Sequence, residues 1–437
     1  MQSTRLKTVL NYLVPTVLSQ CAFFLFTIID GIFVGNGVGT DALGAVNMAL
    51  PYILILGAVF MLTTIGGVTI TAIRIGRKDI DGANQAFMHA ISCTFLFAAI
   101  FTIIGVVFTE PLVTALGASG LYHDMVSEYI LWYSVFTIPS AISIALQGFG
   151  RNDNAPVLVM AATIISTLCN IFLDWLFIFP LQQGIAGAAI ATGISQIVSL
   201  VIISMHFIRK RGLLKISRFT LNSALLKKVL KRGLPEMLSQ LTTPIMIVCM
   251  NYVILKYIGS DGINAYSVMS YITSFAFAVF LGVAEGMQPL FGQSYGEKKE
   301  KDLKYYLRTG ATIILIGSAL VYMFTLFFGT AICNLFGAEQ AAMETAVSAM
   351  PKYGWAFIFA SLNTIISAYL YSTKRTKESV AVNVLRGFIF IPLCVWLLSL
   401  AFGGSFIWFT IGIAEALVFV IAIIILKRSE KDGVTFV

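Results

Sequence analysis

The chain has 437 residues, of which 58% are apolar and 11% charged, with a net charge of +8 and a mean hydropathy of +0.88. A soluble domain carries about 25% charged residues, so this composition excludes a water-soluble globular protein. The basic excess is not a nucleic-acid footprint, because the Lys and Arg residues lie between apolar runs, where membrane topology places them.

Apolar runs such as 91–109, 155–179, 188–208 and 405–426 recur along the whole chain, each near the roughly 20 residues a helix needs to cross the hydrocarbon core. No short alternating segments of a transmembrane barrel occur. The expected helices are 8–34, 43–73, 83–108, 122–148, 155–179, 185–207, 223–256, 263–292, 302–328, 340–371, 377–400 and 404–427. Arg5 and Lys7 precede the first of them, which runs past Asp30 without a small-residue cleavage site and reads as a membrane helix rather than a signal. The fold class is therefore an all-α integral membrane protein of about twelve transmembrane helices.

Apart from Lys256, Lys352 and Arg386, the basic residues lie at the termini, in the loops after the even-numbered helices, or in the first ten residues of the helices that follow those loops. That bias predicts a multi-pass protein of the cell membrane with both termini in the cytoplasm. The stretch 208–232 is rich in Lys and Arg and has no acid, which suits contact with anionic lipid. A lobe of six helices at 1–207, a basic cytoplasmic linker at 208–222 and a second six-helix lobe at 223–437 are expected.

The chain also resembles itself at a separation of 220 residues. LVPTVLSQ (13–20) lies over GLPEMLSQ (233–240), VGTDALGAVNM (38–48) over IGSDGINAYSV (258–268), GGVTITAIRIGRKD (66–79) over GMQPLFGQSYGEKK (286–299), and LGAS (116–119) over FGAE (336–339). Further on the register is expected to shift, with FIFP (177–180) over IFIP (389–392), which sets Arg386 opposite Asp174. Two halves with an even number of helices share one orientation, so the repeats are parallel. This is a usual secondary-transporter architecture, with a substrate cavity expected between the halves and alternating access.

Cys21, Cys93, Cys169, Cys249, Cys333 and Cys394 fall singly on separate apolar segments, and His89, His123 and His206 are scattered. No zinc or redox spacing exists, and no GxxxxGK loop points to a nucleotide-driven pump. The acids inside membrane segments are Asp30, Asp174, Glu285 and Glu415, with Glu236 near an entrance. Each is costly there and marks a functional candidate. Asn170 and Asp174 are four apart on one helix face, and depth counted at about 1.5 Å per residue puts Asp30, Asn170, Asp174 and Thr192 at one level. Two carboxylates, an amide and a hydroxyl suit Na⁺, and neighbouring carboxylates also suit a shared proton. Met250 stands opposite Asp30, so one ion site, in the first half, is expected.

With TIIDGIFVGNGVGTDALGAVN (27–47), Pro15 fifteen residues before Asp30, NIFLDWLFIFP (170–180) and EGMQPLFGQSYGE (285–297), the chain resembles the multidrug and toxic compound extrusion (MATE) family, in its DinF/MepA-like branch. The resemblance implies cation coupling at Asp30, Asn170, Asp174 and Thr192 and bending of the first helix at Pro15. It implies no enzymatic activity and no cofactor beyond H⁺ or Na⁺ as coupling ion, with export of organic cations and amphiphilic drugs. Glu285, Met287 and Tyr266 are candidates for the substrate cavity. Two fused halves make a functional monomer the expectation. A lipid-linked oligosaccharide or polysaccharide flippase of the related superfamily is the alternative, and a membrane-embedded enzyme lacks a visible catalytic cluster.

Overall fold

The computed structural model describes residues 2–118, 120–217, 219–335 and 340–431, and no strand occurs among them. The first nine helices are α1 (Gln2–Gly37), α2 (Thr40–Gly76), α3 (Ile80–Val107), the short α4 (Thr109–Ala115), α5 (Leu121–Val135), α6 (Thr137–Asn152), α7 (Pro156–Ile178), α8 (Gly184–Ile208) and α9 (Ser223–Tyr257). Then come α10 (Ser260–Gly296), α11 (Glu300–Leu335), α12 (Gln340–Gly354), α13 (Ala356–Ser372) and α14 (Thr376–Val384). A π-helical turn at Leu385–Phe390 joins α14 to α15 (Ile391–Phe402), and a 3₁₀ turn at Gly404–Phe406 precedes α16 (Ile407–Lys431).

Ten of these spans are long and apolar enough to cross a membrane, and two bent pairs raise the number to 12. The bent pairs are α5 with α6, at 52°, and α12 with α13, at 44°. Pro139, in the first turn of α6, has no N–H to give to the carbonyl four residues back, where α5 ends. The second bend follows Pro351 at the end of α12.

The chain forms two compact units, Met1–Met237 and Leu238–Val437, which part inside α9. Two glycines bind the start of α9 to the first unit. A Cβ on Gly233 would stand 1.7 Å from the Leu62 carbonyl oxygen, and one on Gly66 would stand 2.0 Å from that of Val229. The α2 and α9 backbones can approach this closely only without side chains at the crossing.

Within the first unit, one apolar core gathers Val34, Tyr52, Leu56, Tyr129 and Ile130, and a second gathers Phe87, Phe149, Ile203 and Phe207. Phe87 meets the rings of Phe149 and Phe207 at 4.8 and 5.2 Å. The segment 208–222 is fastened beside this second core. Buried Asp153 accepts from the Leu213 and Leu214 N–H groups and pairs with His206 Nε2 at 2.9 Å. Asn84 Oδ1 accepts from the Lys215 N–H at 2.6 Å, and His89 Nε2 from the Asn222 N–H at 2.8 Å. Burial pushes the Asp153 carboxyl above its ordinary value, and His206 and the two backbone donors oppose that rise.

The repeat keeps its 220-residue register further than expected. Left-handed residues recur at that interval at Gly39 and Gly259, Lys78 and Lys298, and Asn154 and Lys374. So do side-chain pairings. Thr163 Oγ1 donates to Gln147 Oε1 at 3.2 Å as Asn383 Nδ2 donates to Ser367 Oγ at 2.9 Å. Ser166 bonds Ser195 where Arg386 bonds Glu415. The expected shift at FIFP over IFIP is therefore a misalignment. Pro180 follows the end of α7, whereas Pro392 opens α15 after the π turn, so the two prolines do different structural work. Arg386 stands opposite Ser166, and Cys394 opposite Asp174. In the match of 116–119 to 336–339, residues 119 and 336–339 lie outside those described.

Candidate functional site

α1 packs along α7, and α7 along α8, while α5 also packs on α8. Asp30 projects from α1, Asn170 and Asp174 from successive turns of α7, and Thr192 from α8. Asn170 and Asp174 are 1% and 0% exposed, and Asp30 and Thr192 are half-buried. Asn170 Nδ2 donates to Thr192 Oγ1 at 3.5 Å. The Asp30 and Asp174 carboxyls are near enough to act on each other electrostatically. The structure thus brings together the four residues expected from the sequence.

Their oxygens are poorly supplied with donors: Asp30 Oδ1, Asn170 Oδ1 and both Asp174 carboxylate oxygens have no well-formed hydrogen bond among the described residues, although the Asn170 amide lies close to Asp174. Stranding such acceptors in an apolar interior is costly, and a buried carboxylate beside a half-buried one becomes compatible with it most readily when protons or a cation neutralise them. The donor set is hard oxygen only, which fits Na⁺ and not a soft metal. No group of three or more His, Cys, Asp or Glu side chains able to hold a metal occurs among the described residues.

Tyr129, buried on α5, interacts with both carboxylates. Sequence reasoning missed it because a single Tyr in an apolar helix carries no spacing signal. Toward the 208–222 end, a polar ladder continues from the site: Ser166 Oγ donates to the Ser195 carbonyl at 2.6 Å, and Gln147 Nε2 donates to Ser199 Oγ at 3.1 Å. Toward the opposite end, a cavity of about 330 Å³ opens one turn beyond Asp174, lined by Asn36, Gly37, Ile178, Phe179 and Gln182.

Pro15 lies inside α1, which is one continuous helix. Its ring withholds an N–H from the carbonyl of Asn11, while Thr16 and Ser19 donate to the carbonyls of Tyr12 and Pro15. The Tyr12 hydroxyl donates to Asn154 Oδ1 at the turn between α6 and α7. The end of α1 before Pro15 is thereby anchored, and Asp30 lies on the portion beyond it.

The second unit has no equivalent oxygen set. Positions 220 residues beyond Asp30, Asn170, Asp174 and Thr192 carry Met250, Phe390, Cys394 and Gly412. Tyr266, Glu285 and Met287 are all buried on α10. The structure spreads them out, since Tyr266 and Met287 lie roughly 30 Å apart along the helix axis. Tyr266 faces Tyr353, with ring centroids 6.3 Å apart, and Met287 packs against Gly310. A small void nearby is lined by Met269, Met350, Tyr353 and Phe357 instead.

The family model MatE matches residues 15–176 and again 235–396. The multidrug export protein MepA of Staphylococcus haemolyticus is 22% identical over 416 residues, covering 95% of this chain and 91% of its own length. Among solved structures, an outward-facing multidrug resistance MATE family transporter of the MOP superfamily aligns with a TM-score of 0.92 at 22% identity, over 99% of this chain and 97% of that one. A MOP superfamily transporter from Pyrococcus furiosus aligns with a TM-score of 0.91 at 22% identity, over 98% and 96%.

Proposed function

The chain belongs to the MatE family, a family of transporters, and from that premise we propose that it exports cationic or amphiphilic organic compounds in exchange for H⁺ or Na⁺ by alternating access. Two features support export of such compounds: the multidrug exporters among its relatives and an interior rich in Met and aromatic side chains, which adapt to varied ligands. The observation that carries the coupling is the group of oxygens on α1 and α7 that lack well-formed hydrogen bonds, present in one repeat and absent from the matching positions of the other.

The residues divide the work as follows. Asp30 and Asp174 supply the charge that a proton or Na⁺ neutralises, while Asn170 and Thr192 supply neutral oxygens to Na⁺. A bound cation draws Asp30 toward Asp174 and so ties the portion of α1 beyond Pro15 to α7. The empty pair of carboxylates repels itself and releases that portion. A cation shifts the balance of two conformations only by the difference in its affinity for them, and a site built across α1 and α7 supplies that difference whenever α1 bends. The basic loops favour cytoplasmic termini, with the cavity beside Ile178 as the cation's entry from the opposite side.

Dye efflux in proteoliposomes, with a pH gradient and a Na⁺ gradient imposed separately, tests this. Transport under one gradient in the wild type and its loss in Asp30→Asn support the reading and identify the ion. Gradient-driven efflux retained by Asp30→Asn overturns the coupling site. Absence of dye movement in folded wild-type protein overturns the drug-export reading and favours a lipid-linked substrate.

A further inference from the structure

Arg386 and Glu415 form the most deeply buried ion pair among the described residues, each 1% exposed. Arg386 Nε donates to Glu415 Oε1 at 2.8 Å and to Oε2 at 3.0 Å. Asn363 Nδ2 donates to the same Oε2 at 2.8 Å and to the carbonyl of residue 415 at 3.0 Å. The guanidinium also reaches Thr364 Oγ1 at 3.5 Å and lies over the Phe277 ring, 5.5 Å from its centroid. Tyr353 on α12 interacts electrostatically with Glu415. The charged and titratable groups facing Glu415 are thus Arg386 from the π turn and Tyr353 from α12, while α10 and α13 contribute Phe277, Asn363 and Thr364.

Two features of this cluster go beyond a plain salt bridge. Without the guanidinium, the cluster keeps the Glu415 carboxylate, the Thr364 hydroxyl and the Asn363 amide, whose Nδ2 faces Glu415. These are the chemical types found at Asp30, Asn170 and Thr192. Asn363 Oδ1 and Arg386 Nη2 have no hydrogen-bond partner among the described residues, so the cluster is not satisfied by pairing alone. Arg386 also sits in the π turn, a local widening of the helix that often accompanies functional positions. Gly387 keeps that turn against α9, since a Cβ there would stand 2.4 Å from Thr242 Oγ1.

We propose that the second repeat contains a cation site whose occupant is the chain's own Arg386 guanidinium, held by Glu415, Thr364 and the face of Phe277, with Asn363 fixing the Glu415 carboxylate. Its chemical class is that of a monovalent-cation site, and the tethered guanidinium keeps exchangeable H⁺ and Na⁺ out of it. The first repeat has only the Ser166–Ser195 hydrogen bond at this position, so the device belongs to the second repeat. The proposal borrows from the reading of Asp30 and Asp174 only the comparison of oxygen types.

Difference infrared spectroscopy of the lipid-reconstituted protein tests it, with bands recorded on adding Na⁺ and on changing pH. The Glu415 band is identified by its loss in Glu415→Gln. In the wild type that band is expected to stay that of an ionised carboxylate under both changes. In Arg386→Gln it becomes responsive to Na⁺ or to pH, and in Arg386→Lys, which keeps a tethered cation, it does not. The same spectra in an Asp30→Asn background remove the first repeat's response, so failure of that site is read separately. A Glu415 band that responds in the wild type overturns the proposal, and this arm needs no destabilised variant. A Glu415 band that stays unresponsive in folded Arg386→Gln also overturns it.

Discussion

Asp30 and Asp174 are neighbours carried by two helices, and the residue scale is where their proposed coupling role can be separated from that of Asn170 and Thr192. Asp174→Asn is expected to abolish gradient-driven efflux as Asp30→Asn does, with the helical circular dichroism of the purified protein unchanged. Thr192→Val removes one neutral oxygen and the hydrogen bond that it accepts from Asn170 Nδ2, worth about 0.5–1.5 kcal/mol. If Na⁺ is the coupling ion, that variant should weaken Na⁺ dependence by roughly tenfold or more while leaving proton-driven transport closer to wild type. Most of this set was legible from sequence because the i,i+4 pair and helix depth need only a ruler along the chain. Tyr129 was not, since its nearness to both carboxylates arises from the packing of α5 on α8. The partner of Arg386 was hidden for the same reason: Glu415 lies on a different span, 29 residues away.

At the scale of elements, apolar run length located the spans well, because a helix in lipid must satisfy its backbone internally over the whole membrane thickness. The π turn at Leu385–Phe390 left no trace in that pattern, since an extra residue per turn changes no composition. The α2–α9 crossing was equally silent until the glycines met. Gly233→Ala sets a methyl group against the Leu62 backbone, where nothing flexible can yield. It should destabilise the first unit by about 1–3 kcal/mol or more, visible as a lower midpoint of thermal unfolding in detergent. Gly57→Ala, with nothing within 4 Å of the added carbon, should leave that midpoint near wild type. At the end of α1 away from Asp30, the anchor between Tyr12 and Asn154 predicts that Tyr12→Phe frees the part of the helix before Pro15. Faster hydrogen exchange confined to that end would show it.

Across the whole molecule, the two repeats keep one frame while their chemistry diverges. Left-handed turns, bends and cross-helix pairings recur 220 residues apart, yet the oxygen set of the first repeat is replaced by Met250, Phe390, Cys394 and Gly412 in the second. The duplication was legible at the first four helices because identical short motifs line up there. It was misread at the later ones, where two apolar, proline-containing runs imitate each other. Glu415→Gln leaves the Arg386 charge buried and uncompensated, at about 3–5 kcal/mol. Replacing both partners by apolar residues, as in Arg386→Met with Glu415→Leu, should recover most of that loss in a thermal-unfolding comparison.

To trypsin, the exposed Arg209, Lys210, Arg211 and Lys215 look like an ideal cutting site, and a joint between two halves of a molecule is where a protease is expected to succeed. Cleavage, however, needs a stretch of chain peeled free of its neighbours, and this stretch is pinned by Asp153, Asn84 and His89. The intact protein should therefore survive digestion as one piece. Asp153→Ala, which releases His206 and two backbone N–H groups at once, should fall into two fragments under the same treatment. Wild-type protein cut there as fast as the mutant would mean the pins do not hold.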